Sequence, residues 1–249
     1  MPTRTEEETA MQAASGGAGK SEYVQQIFSE IAPRYDLLNH LLSLNIDKAW
    51  RRKAIGELGI GRRPSGPYLD LCAGTLDVSA MLARAPGFNG SVVGADFAEP
   101  MLRAGLGKIG EIPVAPVAAD ALALPIATGS MAGAIVAFGI RNVADLDAGL
   151  REVYRVLEPG ARFVILEFST PRSPLINTGY QLYFNHVLPA IGGLISGHRT
   201  AYQYLPKSVA NFPVLEELSR RLAAAGFVRV AYRSLTLGIA AIHTGERPA

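Results

Sequence analysis

The sequence predicts an α/β fold in which a parallel sheet is covered by helices on both faces. Short apolar runs alternate with amphipathic segments through the middle of the chain. The runs that predict strands are residues 68–72, 91–95, 114–119, 132–138 and 162–168. The segments that predict helices between them are residues 77–84, 99–108 and 145–157, the last one stopped by Pro159 and Gly160. This alternation is typical of βαβ units, whose strands are buried on both sides.

The two ends of the chain have different patterns. The first twenty residues are polar, and we expect a disordered tail there. Helices are predicted on the N-terminal side at 23–32 and 36–58, the second broken near 43–45, before a Gly/Pro-rich link at 59–67. A helix at 212–225 and two strands at 228–233 and 237–243 are predicted on the C-terminal side.

Composition excludes several classes of protein. Hydrophobic residues make up 49% of the 249 residues, so a large core can form, and the net charge of +2 gives no sign of a nucleic-acid partner. Cys72 is the only cysteine, which rules out an intrachain disulfide. The four scattered histidines lack the spacing of a zinc site, so we expect no metal. No uninterrupted apolar run reaches the length of a transmembrane helix.

Carboxylates lie in or directly after three successive predicted strands. Asp70 lies in the first strand, Asp96 ends the second, and Asp120 follows the third. Ligands of open α/β sheets bind beyond the carboxyl ends of the strands. A carboxylate at Asp96 can accept hydrogen bonds from a ribose diol, and Asp120 is placed to meet an adenine edge. Gly74 is the only glycine of its loop, so a pyrophosphate-binding fingerprint is missing and a nucleoside is the better match.

Several longer motifs are more specific. They are Phe-Gly-Ile-Arg-Asn-Val at 138–143, Leu-Glu-Phe-Ser at 166–169, Tyr-Gln-Tyr-Leu-Pro-Lys-Ser-Val at 202–209, and Phe-Ser-Glu-Ile-Ala-Pro-Arg-Tyr-Asp at 28–36. In these motifs the chain resembles the ubiquinone/menaquinone biosynthesis C-methyltransferases from about residue 24 to residue 243. The resemblance implies a class I methyltransferase fold, with a seven-stranded, mostly parallel sheet whose last strand is antiparallel.

The resemblance also implies S-adenosylmethionine (SAM) as methyl donor. Matched motif by motif, Gly74 and Thr75 would line the methionine side and Asp96 the ribose. Asp120 and Ala121 would meet the adenine. The expected cofactor-binding set is completed by Asp70, in the strand before the loop, and by Tyr35, on a lid formed by the N-terminal helices.

The implied organisation is a single methyltransferase domain over residues 21–249. It would comprise lid helices at 21–60, a SAM-binding core at 61–170, and substrate-side helices and C-terminal strands at 171–249. The implied acceptor is a prenylated quinol, most simply demethylmenaquinol. We expect a cytoplasmic protein that reaches this lipid by peripheral contact at the inner face of the membrane. The sequence leaves the oligomeric state open.

Carbon methylation requires loss of a phenolic proton, after which the ring carbon attacks the sulfonium methyl. Arg141 is the expected polar centre, because a guanidinium stabilises a phenolate, and Asn142 would hold a water or the second oxygen. Tyr202 and His186 are weaker catalytic candidates. The plainer alternative for Arg141 is an ion pair with Asp145 or Glu167.

One departure from the family pattern leaves other functions open. Leu76 stands where the family loop usually has glycine, and a leucine resists positive φ and would add bulk near the cofactor. The acceptor could also be a benzoquinol, another small phenol or a sterol-like lipid. A third alternative is a non-catalytic member of a quinone-synthesis complex.

Overall fold

The chain folds around one seven-stranded sheet. The computed structural model describes residues 19–32, 35–36, 43, 45–184 and 199–249. For residues 199–203 it describes the backbone only. The strands are β1 (Pro67–Leu71), β2 (Ser91–Asp96), β3 (Val114–Ala118), β4 (Met131–Ala137), β5 (Leu157–Phe168), β6 (Val228–Leu235) and β7 (Ala240–Glu246). Their order across the sheet is β3-β2-β1-β4-β5-β7-β6, and only β7 runs antiparallel to its neighbours. The predicted sheet is confirmed.

Helices cover both faces of the sheet. The described helices are α1 (Lys20–Ile31), α2 (Ile46–Glu57), α3 (Asp77–Ala83), α4 (Glu99–Ile109), α5 (Leu146–Val156), α6 (Pro174–Leu182), α7 (Arg199–Ala210) and α8 (Leu215–Ala224). Short 3-10 turns occur at Ile60–Arg62, Ile140–Asn142 and Thr236–Gly238.

Successive side chains along each strand point to opposite faces of the sheet, so the core is divided into two layers. On β4, Ala134 and Val136 pack in a cluster with apolar side chains of α5 and α8, whereas Ile135 packs in a second cluster with side chains of α2 and α3. Every residue of β4 except Ala137 is buried. Burial on both faces explains why the central strands are continuous apolar runs rather than alternating ones.

Two predicted boundaries were wrong. Pro159 and Gly160 do not follow a helix end directly; they lie within β5, where the β4–β5 register shifts between Met131 and Gly133. Gly160 has φ +76°, so this pair forms a bulge in the ladder. Helix α8 begins at Leu215 rather than 212, because Pro213 and the extended Val214 delay the first turn. The break predicted near residues 43–45 agrees with the structure, in which Asn45 has φ +60° and directly precedes α2.

Candidate active site

A first cavity opens at the carboxyl ends of β1, β2, β3 and β4, and we call it the strand-end cavity. Phe28 and Tyr35 of the N-terminal segment cover it. Its floor comes from the ends of the strands and the turns after them. The residues there are Leu71, Cys72, Gly74, Ala95, Asp96, Phe97, Ala119, Asp120, Ala121, Ala137, Phe138, Gly139 and Asn142.

Asp96 is the best-held carboxylate of this cavity. One carboxylate oxygen accepts a hydrogen bond from the Gly74 N–H, and the other accepts one from the Ala98 N–H, each at 2.8 Å. Burial raises the pKa of Asp96, while these two N–H groups act in the opposite direction. A carboxylate has about four lone-pair sites. Asp96 is therefore oriented by the backbone and keeps acceptor capacity toward the cavity.

Asp120 and Ala121 line the same cavity after β3. The Asp120 carboxylate accepts a hydrogen bond from the Leu122 N–H at 2.9 Å, which holds the turn in place. The strand order explains why these residues meet Asp96, since β2 and β3 pair in parallel with Asp96 opposite Ala118. Asp96, Asp120, Ala121 and Gly74 are thus brought together, as the sequence led us to expect.

Asp70 and Thr75 lie behind the cavity wall instead. Asp70 is buried in β1 and accepts a hydrogen bond from the Ser79 hydroxyl at 2.6 Å, and burial raises its pKa to about 7. Thr75 is also buried; its hydroxyl donates to Asp36 at 2.5 Å and accepts from Lys108 at 2.9 Å. The contacts of both side chains support the loop around Gly74 and do not include the cavity.

The position of Leu76 corrects the expected bulk near the cofactor. Its backbone has φ +63°, yet its side chain is fully buried in a cluster with Ala80, Leu102 and Ile109. Gly94 leaves the space for it, since a Cβ there would lie 2.7 Å from a Leu76 methyl carbon. The leucine points into the core and not into the strand-end cavity.

A second cavity lies between the N-terminal and C-terminal helices, and we call it the acceptor cavity. Its volume is about 440 Å³. Phe28, Tyr35 and Phe138 line both cavities, so the two chambers share one aromatic wall. The acceptor cavity is otherwise mostly apolar and is lined by Ile27, Ile31, Ile46, Trp50, Phe168, Leu175, Ile176, Tyr180, Tyr183, Phe184, Tyr204, Leu205 and Ile239, among others.

Arg141 is a buried cation that lines the acceptor cavity, as is Arg51. The guanidinium of Arg141 donates to both oxygens of Glu167, at 3.1 and 3.2 Å, and to the Phe138 carbonyl. Burial opposes its charge, but Glu167 and nearby phenols together hold the pKa of Arg141 above its ordinary value. The ion pair with Glu167 considered from the sequence is therefore present. Asp145 is not a partner, because it accepts a hydrogen bond from the Ala148 N–H and caps α5.

Comparison with known proteins identifies the family. The sequence model of a family described as "ubiE/COQ5 methyltransferase family" matches residues 17–247. A demethylmenaquinone methyltransferase of Thermus thermophilus is 51% identical over 225 residues, which are 89% of this chain and 100% of that protein. The chain belongs to the ubiE/COQ5 methyltransferase family.

Another member of the ubiE/COQ5 family from Geobacter sulfurreducens, named ubiquinone/menaquinone biosynthesis C-methyltransferase UbiE, is 46% identical and covers 92% of this chain and 90% of its own length. Among solved structures, a SAM-dependent methyltransferase of Thermotoga maritima, described as a possible histamine N-methyltransferase, aligns with a TM-score of 0.63 at 17% identity. That alignment covers 89% of this chain and 98% of the other. At this low identity the structural likeness shows the class I methyltransferase fold and nothing about the acceptor.

Asn142, which follows Arg141 in the Phe-Gly-Ile-Arg-Asn-Val motif, lines the strand-end cavity rather than the acceptor cavity. Its side-chain oxygen accepts a hydrogen bond from the Tyr204 hydroxyl at 3.2 Å. Tyr204 lines the acceptor cavity, so the pair joins the two chambers. The sequence analysis named Tyr202 and not Tyr204 as a catalytic candidate. The side chain of Tyr202 and the whole of His186, the other such candidate, lie outside the described part of the chain. Both tyrosines belong to one motif, and only packing distinguishes them.

The sequence interpretation also missed Tyr180. Its ring lines the acceptor cavity and is 7% exposed. Its hydroxyl is buried and has no hydrogen-bond partner among the described residues. Burial raises the pKa of Tyr180, so the phenol stays protonated and can donate. This hydroxyl is therefore available to donate to a ligand in the acceptor cavity.

Lys20 attaches the N-terminal helix to the motif that carries Arg141. Its ammonium donates to the carbonyls of Arg141 and Val143, at 2.9 and 3.0 Å. Burial lowers the pKa of Lys20, and the Arg141 charge adds to this effect. The next residue, Ser21, lines the strand-end cavity, so this contact fixes α1 over it.

Proposed function

We propose that the chain transfers the methyl group of SAM to a ring carbon of a prenylated quinol, with demethylmenaquinol as the acceptor. The observation that carries the proposal is the two-chambered site. A mostly apolar cavity of about 440 Å³ contains the buried cation Arg141 and shares an aromatic wall with the strand-end cavity. A prenylated quinol is apolar except at its ring oxygens, so it needs this kind of pocket with few polar groups.

The residues of the strand-end cavity fit SAM. Asp96 has acceptor capacity for the ribose diol, Asp120 and Ala121 are available to the adenine, and Gly74 allows the methionine side to approach the backbone. SAM supplies an electrophilic methyl on a sulfonium. Tyr35 covers this cavity and also lines the acceptor cavity. Tyr35 is then the lid residue between the two chambers.

Arg141 would stabilise the phenolate that makes the ring carbon nucleophilic. Its charge does not titrate near neutral pH, so it lowers the pKa of the bound phenol without acting as a base. We propose that a water molecule carries the proton away and that Asn142, held by Tyr204, orients this water or the acceptor. Glu167 keeps the guanidinium in place. The apolar walls exclude bulk water, which strengthens the Arg141–phenolate attraction.

Tyr180 supplies a second polar contact. Arg141 lies over the ring of Phe168, with 5.7 Å between the guanidinium carbon and the ring centroid. Phe168 contacts Phe184, and Phe184 contacts Tyr180, so a continuous row of aromatic rings runs from Arg141 to Tyr180. We propose that Arg141 and the Tyr180 hydroxyl bind the two oxygens at opposite ends of the quinol ring.

Product mass spectrometry tests the acceptor. The purified chain is incubated with SAM and short-chain demethylated naphthoquinol or benzoquinol under reducing conditions. We expect a mass gain of one methyl on the naphthoquinol carbon skeleton, with much slower reaction of the benzoquinol. A faster benzoquinol reaction would move the function to ubiquinone-type rings. Absence of both products together with calorimetric SAM binding would favour the non-catalytic alternative.

We also propose that the protein reaches its acceptor by peripheral contact with the membrane. Within the part of the chain that the structure describes, no helix is long and apolar enough to cross a bilayer. The prenyl tail of the acceptor lies in the lipid phase because every buried CH₂ favours it by about 0.8 kcal/mol. The mouth of the acceptor cavity must therefore come close to the lipid.

A further inference from the structure

Large apolar side chains are exposed beside the mouth of the acceptor cavity. Ile46 and Leu175 line the cavity, yet they are 39% and 84% exposed. Leu182 follows Leu175 by two helical turns on α6 and is 61% exposed. Leu237, next to the cavity residue Thr236, is 72% exposed. We call Ile46, Leu175, Leu182 and Leu237 the apolar rim.

The helix that carries half of this rim has no charged residue. The sequence of α6 is Pro-Leu-Ile-Asn-Thr-Gly-Tyr-Gln-Leu, and its exposed side chains include Leu175, Thr178, Gln181 and Leu182. A surface helix in water normally carries charges on its exposed face. Exposed leucines on an uncharged helix are more typical of a face that meets an apolar phase.

The turn that carries Leu237 holds an unusual backbone. Thr236, Leu237 and Gly238 have φ values of +43°, +58° and +93° in succession. A β-branched residue and a leucine both avoid this region, so the turn is strained. It is held in place because the Trp50 indole N–H donates to the Thr236 hydroxyl at 2.8 Å. In this turn Leu237 is exposed beside the cavity residue Thr236.

Cations lie beside the rim on α2. Lys53 follows Ile46 by seven residues and lies on the same side of this helix, and the neighbouring Arg52 is also exposed. At 1.5 Å per residue the cationic groups begin about 10 Å along the helix from Ile46. Arg52 and Lys53 have no ion-pair partner within the described residues. Exposed leucines next to unpaired cations match the boundary of an anionic bilayer.

We propose that the apolar rim and the cationic side of α2 rest on an anionic lipid surface, with the acceptor cavity opening between Ile46 and Leu175 toward the acyl chains. The passage of a prenyl tail through this opening rests on the proposed function. The lipid contact itself does not, because it depends only on the exposed side chains. A bilayer is favoured over a protein partner because the exposed leucines lie beside unpaired cations, which is the pattern of side chains that meet an anionic membrane surface.

The test measures cosedimentation of the full chain with phosphatidylcholine vesicles that contain or lack phosphatidylglycerol. One double variant, Leu182→Gln with Leu237→Asn, removes the rim residues that do not line the cavity; asparagine also tolerates the positive φ. A second, Arg52→Gln with Lys53→Gln, removes the cations. Matched controls are Leu106→Gln, an exposed leucine on α4 (48%), and Arg151→Gln, an exposed arginine on α5.

We expect the unmodified chain to bind the anionic vesicles more tightly than the neutral ones. The cation variant should reduce the partition coefficient about tenfold or more, since each basic residue near the surface contributes about fivefold. The rim variant should reduce it by about tenfold as well, because it removes two apolar side chains that would be buried in the lipid. The two controls should bind like the unmodified chain, and added salt should weaken only the cation-dependent part. Equal binding to both vesicle types, or equal losses in the controls, would overturn the proposal.

A parallel assay separates this proposal from the proposed function. Both double variants should methylate a short-chain soluble quinol at the normal rate and a long-chain quinol in anionic vesicles about tenfold more slowly. If no chain methylates either quinol, the proposed function fails while vesicle binding still decides the lipid contact. If the rim variant instead converts a dimer to a monomer with unchanged vesicle binding, the rim is a contact between copies and the lipid proposal is wrong.

Discussion

The strand-end cavity and the acceptor cavity are assembled in different ways. The first is built from the ends of β1, β2, β3 and β4, each followed by a short turn, and its carboxylates are held by backbone N–H groups. The second gathers side chains from α1, α2, α6, α7 and the Thr236–Gly238 turn, and its two buried cations among the described residues are held by side chains: Arg141 by Glu167, and Arg51 by Asp47 and Asp77. Local turn geometry thus maintains the first cavity, whereas long-range packing maintains the second.

This difference teaches where substitutions should act. In the strand-end cavity the scaffold is largely backbone, so a side-chain change should alter ligand affinity more than folding. In the acceptor cavity, ion pairs and aromatic contacts hold the site and also line it, so changes there should affect chemistry and stability together. Substitutions at Arg141, Leu76, Asp96 and Tyr180 test this contrast.

Replacing Arg141 should have the largest effect. Arg141→Ala removes the charge that stabilises the phenolate, so single-turnover methyl transfer should fall about 10²-fold or more, with SAM affinity nearly intact. It also leaves Glu167 buried and unpaired, which should lower the free energy of unfolding by about 3–5 kcal/mol. Arg141→Lys should recover only part of the rate, because an ammonium lacks the planar fork.

The control for Arg141 is Arg141→Met combined with Glu167→Gln. This pair of changes removes both buried charges, so it should regain stability without regaining the rate. If the double variant were as active as the unmodified chain, Arg141 would act only through its ion pair, and the distinction between chemistry and packing in the acceptor cavity would fail.

Leu76 tests whether the glycine-loop substitution serves the core. Leu76→Ala should lower the free energy of unfolding by about 2–5 kcal/mol, as for other buried leucines. Leu76→Gly should be about 1 kcal/mol less destabilising than Leu76→Ala, because glycine accepts the positive φ without strain. Denaturant melts measure both. SAM affinity of the folded fraction should not change, and a large loss would mean that the leucine shapes the strand-end cavity after all.

Asp96 tests the strand-end cavity by calorimetric titration with SAM. Asp96→Ala should weaken binding by about 1–3 kcal/mol, the scale of lost charge-assisted hydrogen bonds. Asp96→Asn should cause a smaller loss, since one oxygen remains to accept from the backbone. Asp145→Asn is the matched control, because that carboxylate caps α5 outside the cavity. Unchanged affinity in a folded Asp96→Ala variant would exclude Asp96 from the cofactor site.

Tyr180 should show the smallest effect and the clearest separation from folding. Tyr180→Phe removes one donor, so the apparent KM for the quinol should rise by about 0.5–1.5 kcal/mol in free-energy terms, or roughly 2- to 12-fold. Its melting temperature should stay the same or rise, because the hydroxyl has no partner in the described structure. Tyr154→Phe, whose ring packs on Phe227 away from both cavities, is the control. A loss of stability without any change in KM would assign Tyr180 to the core.

The sequence by itself determined the sheet and most of the strand-end cavity. Apolar runs and turn residues are local signals, and parallel strands bring their carboxyl ends to one edge, so Asp96, Asp120 and Gly74 could be placed together in advance. The bulge at Gly160 was misjudged because proline and glycine mark a turn without saying whether it lies in a loop or within a ladder.

Only the tertiary structure decided the acceptor cavity. Tyr180, Tyr204 and Glu167 are far apart in sequence, and nothing in their local patterns distinguishes a cavity wall from a core. The tertiary structure also decided that the side chains of Asp70, Thr75 and Leu76 lie behind the wall of the strand-end cavity. The physical reason is that a side chain's direction depends on which neighbour offers it space or a hydrogen bond. For Leu76 that neighbour is Gly94, on the next strand, where an added Cβ would leave no room.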